Sequence, residues 1–437
     1  MRVRRASLPS PGAARRRIPC TKGADPGSRH RIEGVIEREL RSEIEGLGAE
    51  LRQSLTAVLS ALAGVPPRPT HVTRVTGLDK SLASRFVRAT QTASDLELMH
   101  VVPSPEGIRI LAELSDRHVE PALLERLRAA ADRFQGLVDS TPGGRAALDA
   151  QIAEGSSSVR ERSEQAARQA AFKSMSFLLG QFCETLVTTL FLVPSKDGRM
   201  VDGIEIHRRI GLRRIRPSTP LALMSMYYTT EDDRPGESVA FEPIDGGAAG
   251  PLSCLLPEYS SAPLPEFQII REGCVSTLVL AGDPQLQAPA RLSSAFRITN
   301  AWKPQPAEAV HNLRGYVLHL PCQNLVREIH VAEGLYPGAT PRVSFVLPGP
   351  RGSTPPPDGE DPRHYASVHV NTTIEPLPDD PQPRPLRGVP DQPEVIRHVL
   401  ARSGHAATRF RGWRCAIRYP VPMVEMIWWL VHPGSGC

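Results

Sequence analysis

Aromatic residues are scarce in this chain, at 5% of 437 positions, and the motifs that mark common chemistries are missing. There is no G-x-S-x-G elbow for a hydrolase serine, and no H-E-x-x-H or C-x-x-C pair for zinc. The glycine-rich stretch DGGAAGP at 245–251 lacks the Lys-Ser/Thr of a phosphate loop and reads as a plain loop. Seven cysteines stand at 20, 183, 254, 274, 322, 415 and 437, an odd and scattered set. Such spacing argues against a disulfide framework and for a reducing, cytoplasmic setting. Long apolar runs are lacking too. The most apolar window, SFLLGQFCETLVTTLFLV at 176–193, carries Gln181 and Glu184 and is too short and polar to cross a bilayer. No membrane role and no cofactor is expected.

What the chain has is unevenly placed charge and proline. Its net charge is +5, yet residues 1–32 alone hold nine Lys/Arg against Asp25, so the remainder carries about −3. Any polyanion partner must therefore meet a local patch. Residues 1–32 lack the apolar run of a secretory signal and are expected to be a disordered basic tail. Of 43 prolines, twelve lie at or before Pro194 and the rest follow it. Upstream, apolar residues recur with helical spacing at 40, 44, 47, 51, 55, 58, 59 and 62, again from Ser104, and again at 123, 124, 127, 131, 134 and 138. An alanine-rich run from Ser158 predicts a long helix, with LVTTLFLV at its end either continuing that helix or starting a strand. Downstream, CVSTLVLA, RGYVLHLP, LVREIHVA, RVSFVLPG, YASVHVNTTIE and MVEMIWWLV read as strands, and PEVIRHVLARSG as one helix. The loops at 348–364 and 376–393 are the longest. The expected class is α+β, with an all-α N-terminal half and a β-rich C-terminal domain of mostly antiparallel strands. Its divisions are a tail to 32, a helical domain over 33–157, a long helix or linker over 158–194, and a β-rich domain over 195–437.

The most device-like stretch is VTRVTGLDKSLASRFVRAT at 72–90. Gly77 suits a tight turn that needs a left-handed residue. Leu78 can plug the gap between two helices, and Asp79 can cap the second. Leu82, Ala83, Phe86 and Val87 would form its buried side, with Val72 and Val75 facing the core from the first helix. Thr70, His71, Arg74, Lys80, Ser81, Ser84, Arg85 and Arg88 would then be exposed, with side chains that suit phosphates and base edges. From Arg68 to Arg88 there are five Lys/Arg and one Asp. On Gly77, Leu78, Asp79, Ser81, Ala83, Ser84 and Arg85 the stretch resembles the helix-turn-helix of LacI-like bacterial repressors. That resemblance covers about twenty residues and implies a DNA-binding mode. It departs from the family at Thr73, where alanine is usual, and in the amphipathic helix that precedes it.

Other clusters are weaker. HRRIGLRRIRP at 207–217 places Arg208, Arg209, Arg213, Arg214 and Arg216 together, either an anion-binding surface or solvated and ion-paired side chains. Alternation would put Glu328 and His330 on one strand face as a pair of metal ligands, with His319, Cys322, His364 and His369 nearby in sequence. No spacing motif anchors such a site. Of the adjacent tryptophans, Trp428 and Trp429, one is expected in the core and the other at a surface. The leading expectation is a cytoplasmic DNA-binding regulator whose β-rich half senses a small-molecule or protein effector, with double-stranded DNA as partner and a homodimer as its form. The alternatives are an enzyme or small-molecule-binding protein with a helical scaffold half, or a protein-interaction adaptor. Acidic residues packed over Arg85 and Arg88 would mark the adaptor.

Overall fold

Helix gives way to sheet at Gly180, whose φ of +69° is a left-handed conformation that glycine adopts without strain. In the computed structural model the described residues are 26–216, 220–227, 240–244, 251–272, 275–280, 289–302, 304, 311–348, 367–378 and 386–432. The chain forms two compact units, Met1–Arg160 and Glu161–Cys437. As expected, the first is helical and the second rich in mostly antiparallel sheet.

Helices α1 (Pro26–Ala63), α2 (Pro69–Thr76), α3 (Lys80–Thr90), α4 (Asp95–Val101), α5 (Pro105–Ser115), α6 (Pro121–Ser140) and α7 (Gly144–Gly155) build the first unit, and α8 (Ser157–Leu179) follows. α1 starts inside the stretch expected to be a basic tail, of which residues 1–25 lie outside the described set. Its apolar stripe is buried at Ile44, Leu47, Leu51, Leu55, Val58, Leu59 and Leu62, and packs with Phe86, Leu111, Leu127 and Phe134 in one core. Each such leucine contributes roughly 1.5–3 kcal/mol by leaving water. Capping is local and legible. Ser104 accepts from the Gly107 N–H at 3.3 Å and starts α5, with Pro105 in the first position. Ser94 does the same for α4 through Glu97. The short helices α4 and α7 were not anticipated from the sequence.

In the second unit LVTTLFLV is strand, as its β-branched content allows. β1 (Gln181–Pro194) and β2 (Val201–Arg214) form a hairpin at the centre of a seven-stranded sheet. β4 (Ala240–Pro243) and β7 (Ala290–Trp302) extend it beyond β2, while β9 (Cys322–Ala332), β12 (Phe410–Arg418) and β11 (Ile374–Leu377) extend it beyond β1. Among the described residues, the β1–β9 pair of this sheet is parallel and its other pairs are antiparallel. β8 (His311–Val317), β10 (Thr340–Val346) and β13 (Glu425–Val431) form a second sheet, and β3 (Leu221–Tyr227), β5 (Phe267–Glu272) and β6 (Val275–Leu280) a third. Of YASVHVNTTIE, Tyr365 and Ala366 lie outside the described residues, and among the rest Ile374 and Glu375 belong to β11. The central sheet has two buried faces. One, with Leu186, Leu190, Leu325 and Ile329, shares a core with Leu313 and Trp428 of the second sheet and Leu278 of the third, and we call it the sandwich face. On the other, the helix face, Phe191, Val193, Ile204 and Ile206 pack with Val395, Ile396 and Val399 of α9 (Gln392–Arg402). Burial on both faces explains the near-continuous apolar run of β1.

Candidate nucleic-acid interface

α2 and α3 are joined by three residues, each with a defined role. Gly77 takes φ +74°, ψ +3°, and its N–H closes α2 on the Thr73 carbonyl at 2.9 Å. The Thr76 hydroxyl donates to the Val72 carbonyl at 2.8 Å and accepts the Leu78 N–H at 3.2 Å, so the turn satisfies its own polar groups. Leu78 is buried between the helices. Asp79 caps α3, accepting from the Ser81 N–H at 2.8 Å and the Leu82 N–H at 3.2 Å, and the Ser81 hydroxyl also donates to it. That hydroxyl, followed by the backbone donors, holds the Asp79 carboxyl below its usual range. Ala83, Phe86, Val87 and Ala89 are buried, with Leu82 and Val75 half-buried against the same core.

All eight residues expected to face DNA are exposed: Thr70, His71 and Arg74 on α2, and Lys80, Ser81, Ser84, Arg85 and Arg88 on α3. Elsewhere in the unit six arginines are ion-paired, while Arg68, Arg117, Arg126 and Arg160 are exposed and join no ion pair among the described residues. Arg41 pairs with Glu45 at 3.0 Å, Arg52 with Asp95 at 2.6 Å, Arg109 with Asp132 at 2.9 Å, Arg128 with Asp116 at 2.6 Å, Arg145 with Asp149 at 3.0 Å, and Arg133 with Glu50. Among the described residues, Arg74, Lys80, Arg85 and Arg88 join no ion pair. Among the described residues no carboxylate pairs with Arg85 or Arg88, so the acidic cover that would mark an adaptor is not seen there.

The arginines of 207–217 do not form one surface, because strand alternation sends neighbours to opposite faces. Arg208 is fully buried on the helix face, bonded to Asp391 Oδ2 at 2.7 Å, Gln392 Oε1 at 3.0 Å and Ser293 Oγ at 3.3 Å. Arg209 is buried on the sandwich face and donates to the Leu223 carbonyl. Arg213 pairs with Glu184 at 3.0 Å, and Arg214 donates to the Leu280 carbonyl at 2.6 Å. Arg216 donates to the Phe177 carbonyl at 2.9 Å and lies over its ring.

Glu328 and His330 do share a face, but their neighbours are not metal ligands. Gln392 donates to Thr189 Oγ1 at 3.2 Å, Thr189 donates to Glu328 at 3.2 Å, and Arg414 binds the other Glu328 oxygen at 2.7 Å. Burial would raise the Glu328 pKa, yet His330 and Arg414 outweigh it and hold the carboxyl low. His319 and His369 are exposed while Cys322 is buried, and His364 lies outside the described residues. Among the described residues no three His, Cys, Asp and Glu side chains gather as a metal site. Cys183, Cys254, Cys322 and Cys415 are buried thiols that form no disulfide among the described residues, and burial pushes Cys254 up to about 12. Trp428 is in the core, while half-buried Trp429 donates to Ser344 Oγ at 2.9 Å. The glycine-rich 245–250 also lies outside the described residues. Sequence reading missed the buried network Arg208–Asp391–Gln392–Thr189–Glu328, whose members are far apart in the chain. Its one local signal was a polar pair inside each of two apolar strands.

No family profile and no curated protein matches this chain. Among solved structures it is similar to a candidate protease of Parabacteroides distasonis ATCC 8503, at 10% identity and a TM-score of 0.23. That match covers 58% of this chain and 41% of the other, so it spans less than half of the neighbour's length. A likeness at that level carries no argument about function. No described helix is long and apolar enough to cross a membrane.

Proposed function

We propose that the chain is a cytoplasmic regulator that binds double-stranded DNA through α2 and α3. The observation that carries this reading is the row of unpaired cations. Exposed arginines without an ion pair occur elsewhere in the unit too, at Arg117, Arg126 and Arg160, but Arg74, Lys80, Arg85 and Arg88 fall together on two adjoining helices and pair with no carboxylate among the described residues. A surface that keeps its cations unneutralised beside a capped, rigid helix is suited to phosphates and base edges. The resemblance to LacI-like repressors over the same residues supports it. In this reading the β-rich unit takes the effector role, and a homodimer would place two α3 helices about 34 Å apart, one turn of duplex.

The test is fluorescence anisotropy of the full chain with duplex DNA across a salt series, against the Lys80→Ala/Arg85→Ala variant. The basic tail is common to both proteins, so the difference isolates α3. Loss of two phosphate contacts should flatten the slope of log affinity against log salt by about 2. Identical affinity and slope in a variant with unchanged helicity would remove the DNA reading.

A further inference from the structure

β1 and β9 lie far apart in the chain, yet where they pair a cysteine of one strand faces a cysteine of the other. Cys183 stands in register with Cys322, the first residue of β9. The Cys183 N–H donates to the Pro321 carbonyl at 3.0 Å, which pins this end of the pairing. Registered Cα atoms on paired strands stand about 5 Å apart, inside the roughly 4.4–6.8 Å that a disulfide spans. Side chains at registered positions also leave the sheet on the same side. Both cysteines are fully buried in the core that holds Leu186 and Leu325, and their thiols hydrogen-bond to each other.

The other described cysteines are placed elsewhere. Cys415 stands opposite Arg327, five residues along β9 from Cys322 and so about 16 Å away. Its thiol shares a hydrogen bond with the Thr372 hydroxyl at 3.0 Å. Cys254 precedes Leu255, which bridges to Ser294 of β7, two strands or about 10 Å beyond β1. Burial, followed by the hydrogen bond with Cys183, pushes the Cys322 thiol up, so it stays protonated at neutral pH while the strands are paired. Reaction therefore needs this end of β1 and β9 to open, and Cys183 is only the third residue of β1.

We infer that Cys183 and Cys322 are a redox modification site, forming a disulfide that staples β1 to β9. The oxidant is a small-molecule disulfide such as oxidised glutathione. One cysteine attacks it as thiolate, giving a mixed disulfide, and the second cysteine displaces the small thiol. The two cysteines lose two protons and two electrons as their S–S bond forms, and the oxidant's S–S bond breaks to give two thiols. In a reducing compartment the pair rests as thiols and closes under oxidation, the pattern of redox-sensing disulfides. The bridge closes a loop of about 140 residues, which stabilises the fold by restricting the unfolded chain. The site stands whether or not α3 binds DNA.

The test holds the full chain in glutathione buffers from fully reduced to fully oxidised, both native and refolded from urea. Free thiols are then alkylated and the chain is mapped by mass spectrometry without reduction, which tells this link from any made by Cys20, Cys274 or Cys437. A Cys183–Cys322 peptide should appear in the oxidised buffers and not in the reduced one, sooner on refolding than in the native chain. All four tryptophans lie in the β-rich unit, so their fluorescence reports its unfolding. The linked form should have a Tm higher by roughly 5–10 °C. Cys183→Ala and Cys322→Ala should each lose the link and the redox dependence of Tm, with far-UV circular dichroism checking the fold. Should neither variant fold, the wild-type map decides alone. Absence of the linked peptide after refolding in the oxidised buffer, or a Tm that the link does not raise, would overturn the staple.

Discussion

The two units handle charge in opposite ways. In the helical unit ion pairs sit at the surface, with Arg41 and Glu45 exposed by 54% and 46%. Pairs of that kind are worth between zero and about 1 kcal/mol, so this unit's stability rests on its apolar stripes. In the β-rich unit, Arg208 is fully buried, Glu328 is 2% exposed and Asp202 3%. There each charge relies on a specific partner, and removing one partner strands the other in the core. The contrast teaches where function and stability separate. Solvated cations on α2 and α3 can be deleted without harm to the fold, whereas buried ones cannot.

The largest effect should follow from breaking the Arg208 pair. Asp391→Leu leaves Arg208 with only Gln392 and Ser293, while half-exposed Arg291, the other partner of Asp391, returns to water. A loss of about 3 kcal/mol is expected, read as the urea midpoint of tryptophan fluorescence. The double variant Arg208→Met/Asp391→Leu should recover most of it, because apolar replacement of both partners is often neutral. An unchanged midpoint in the single variant would mean that solvent, and not Asp391, balances Arg208.

Acid should separate the units next. His207 has its pKa lowered in the fold by burial, so below pH 6.5 the unfolded chain takes up a proton that the folded one refuses. That contribution is complete above pH 6.5 and is lost as pH falls toward the folded value, at no more than about 1.4 kcal/mol per pH unit. In the helical unit the lowered groups are carboxylates such as Asp149, held down by His100 and Arg145 against burial, and these act only below their ordinary 3.8. Between pH 7.5 and 5, the tryptophan-detected Tm should fall by more than the midpoint of the 222 nm signal, to which α1–α7 contribute most and α8 and α9 the rest. His207→Asn should make the first curve shallower, leaving the part that His319 and His405 contribute, since burial lowers their pKa values too; a parallel fall of both signals in the wild type would erase the distinction.

How much of this was legible in the sequence follows from how far each signal reaches along the chain. Periodicity and caps are local, so α1, α5, α6 and the α2–α3 turn could be read from a few neighbours, down to Gly77 and Asp79. The short α4 and α7 lack a full stripe and escaped. The five arginines at 208–216 looked like one patch because a linear reading does not resolve the two faces of a strand whose partners are unknown. Asp391 and Gln392, which decide what Arg208 does, lie 183 and 184 residues away. The Cys183–Cys322 pair exists only once β1 lies beside β9.

Gly77 offers a smaller break on the helical side. A Cβ there would meet nothing within 4 Å, so Gly77→Ala is disfavoured by its φ of +74° and not by crowding. The expected loss is about 1 kcal/mol, seen in the 222 nm melt and not in tryptophan fluorescence. A loss of several kcal/mol would mean that α2 and α3 have reoriented.

The smallest effect runs the other way. Thr73 stands where the repressor-like pattern has alanine, and its Oγ1 is buried with no partner among the described residues. Thr73→Ala removes that hydroxyl and substitutes a better helix former inside α2, two terms of the same sign. Helical-unit stability should rise by roughly 0.5–1 kcal/mol, with DNA affinity unchanged because Thr73 is not among the exposed side chains of α2. A fall in stability would show that the Thr73 hydroxyl is bonded in solution, and a fall in affinity at equal stability would place Thr73 in the interface.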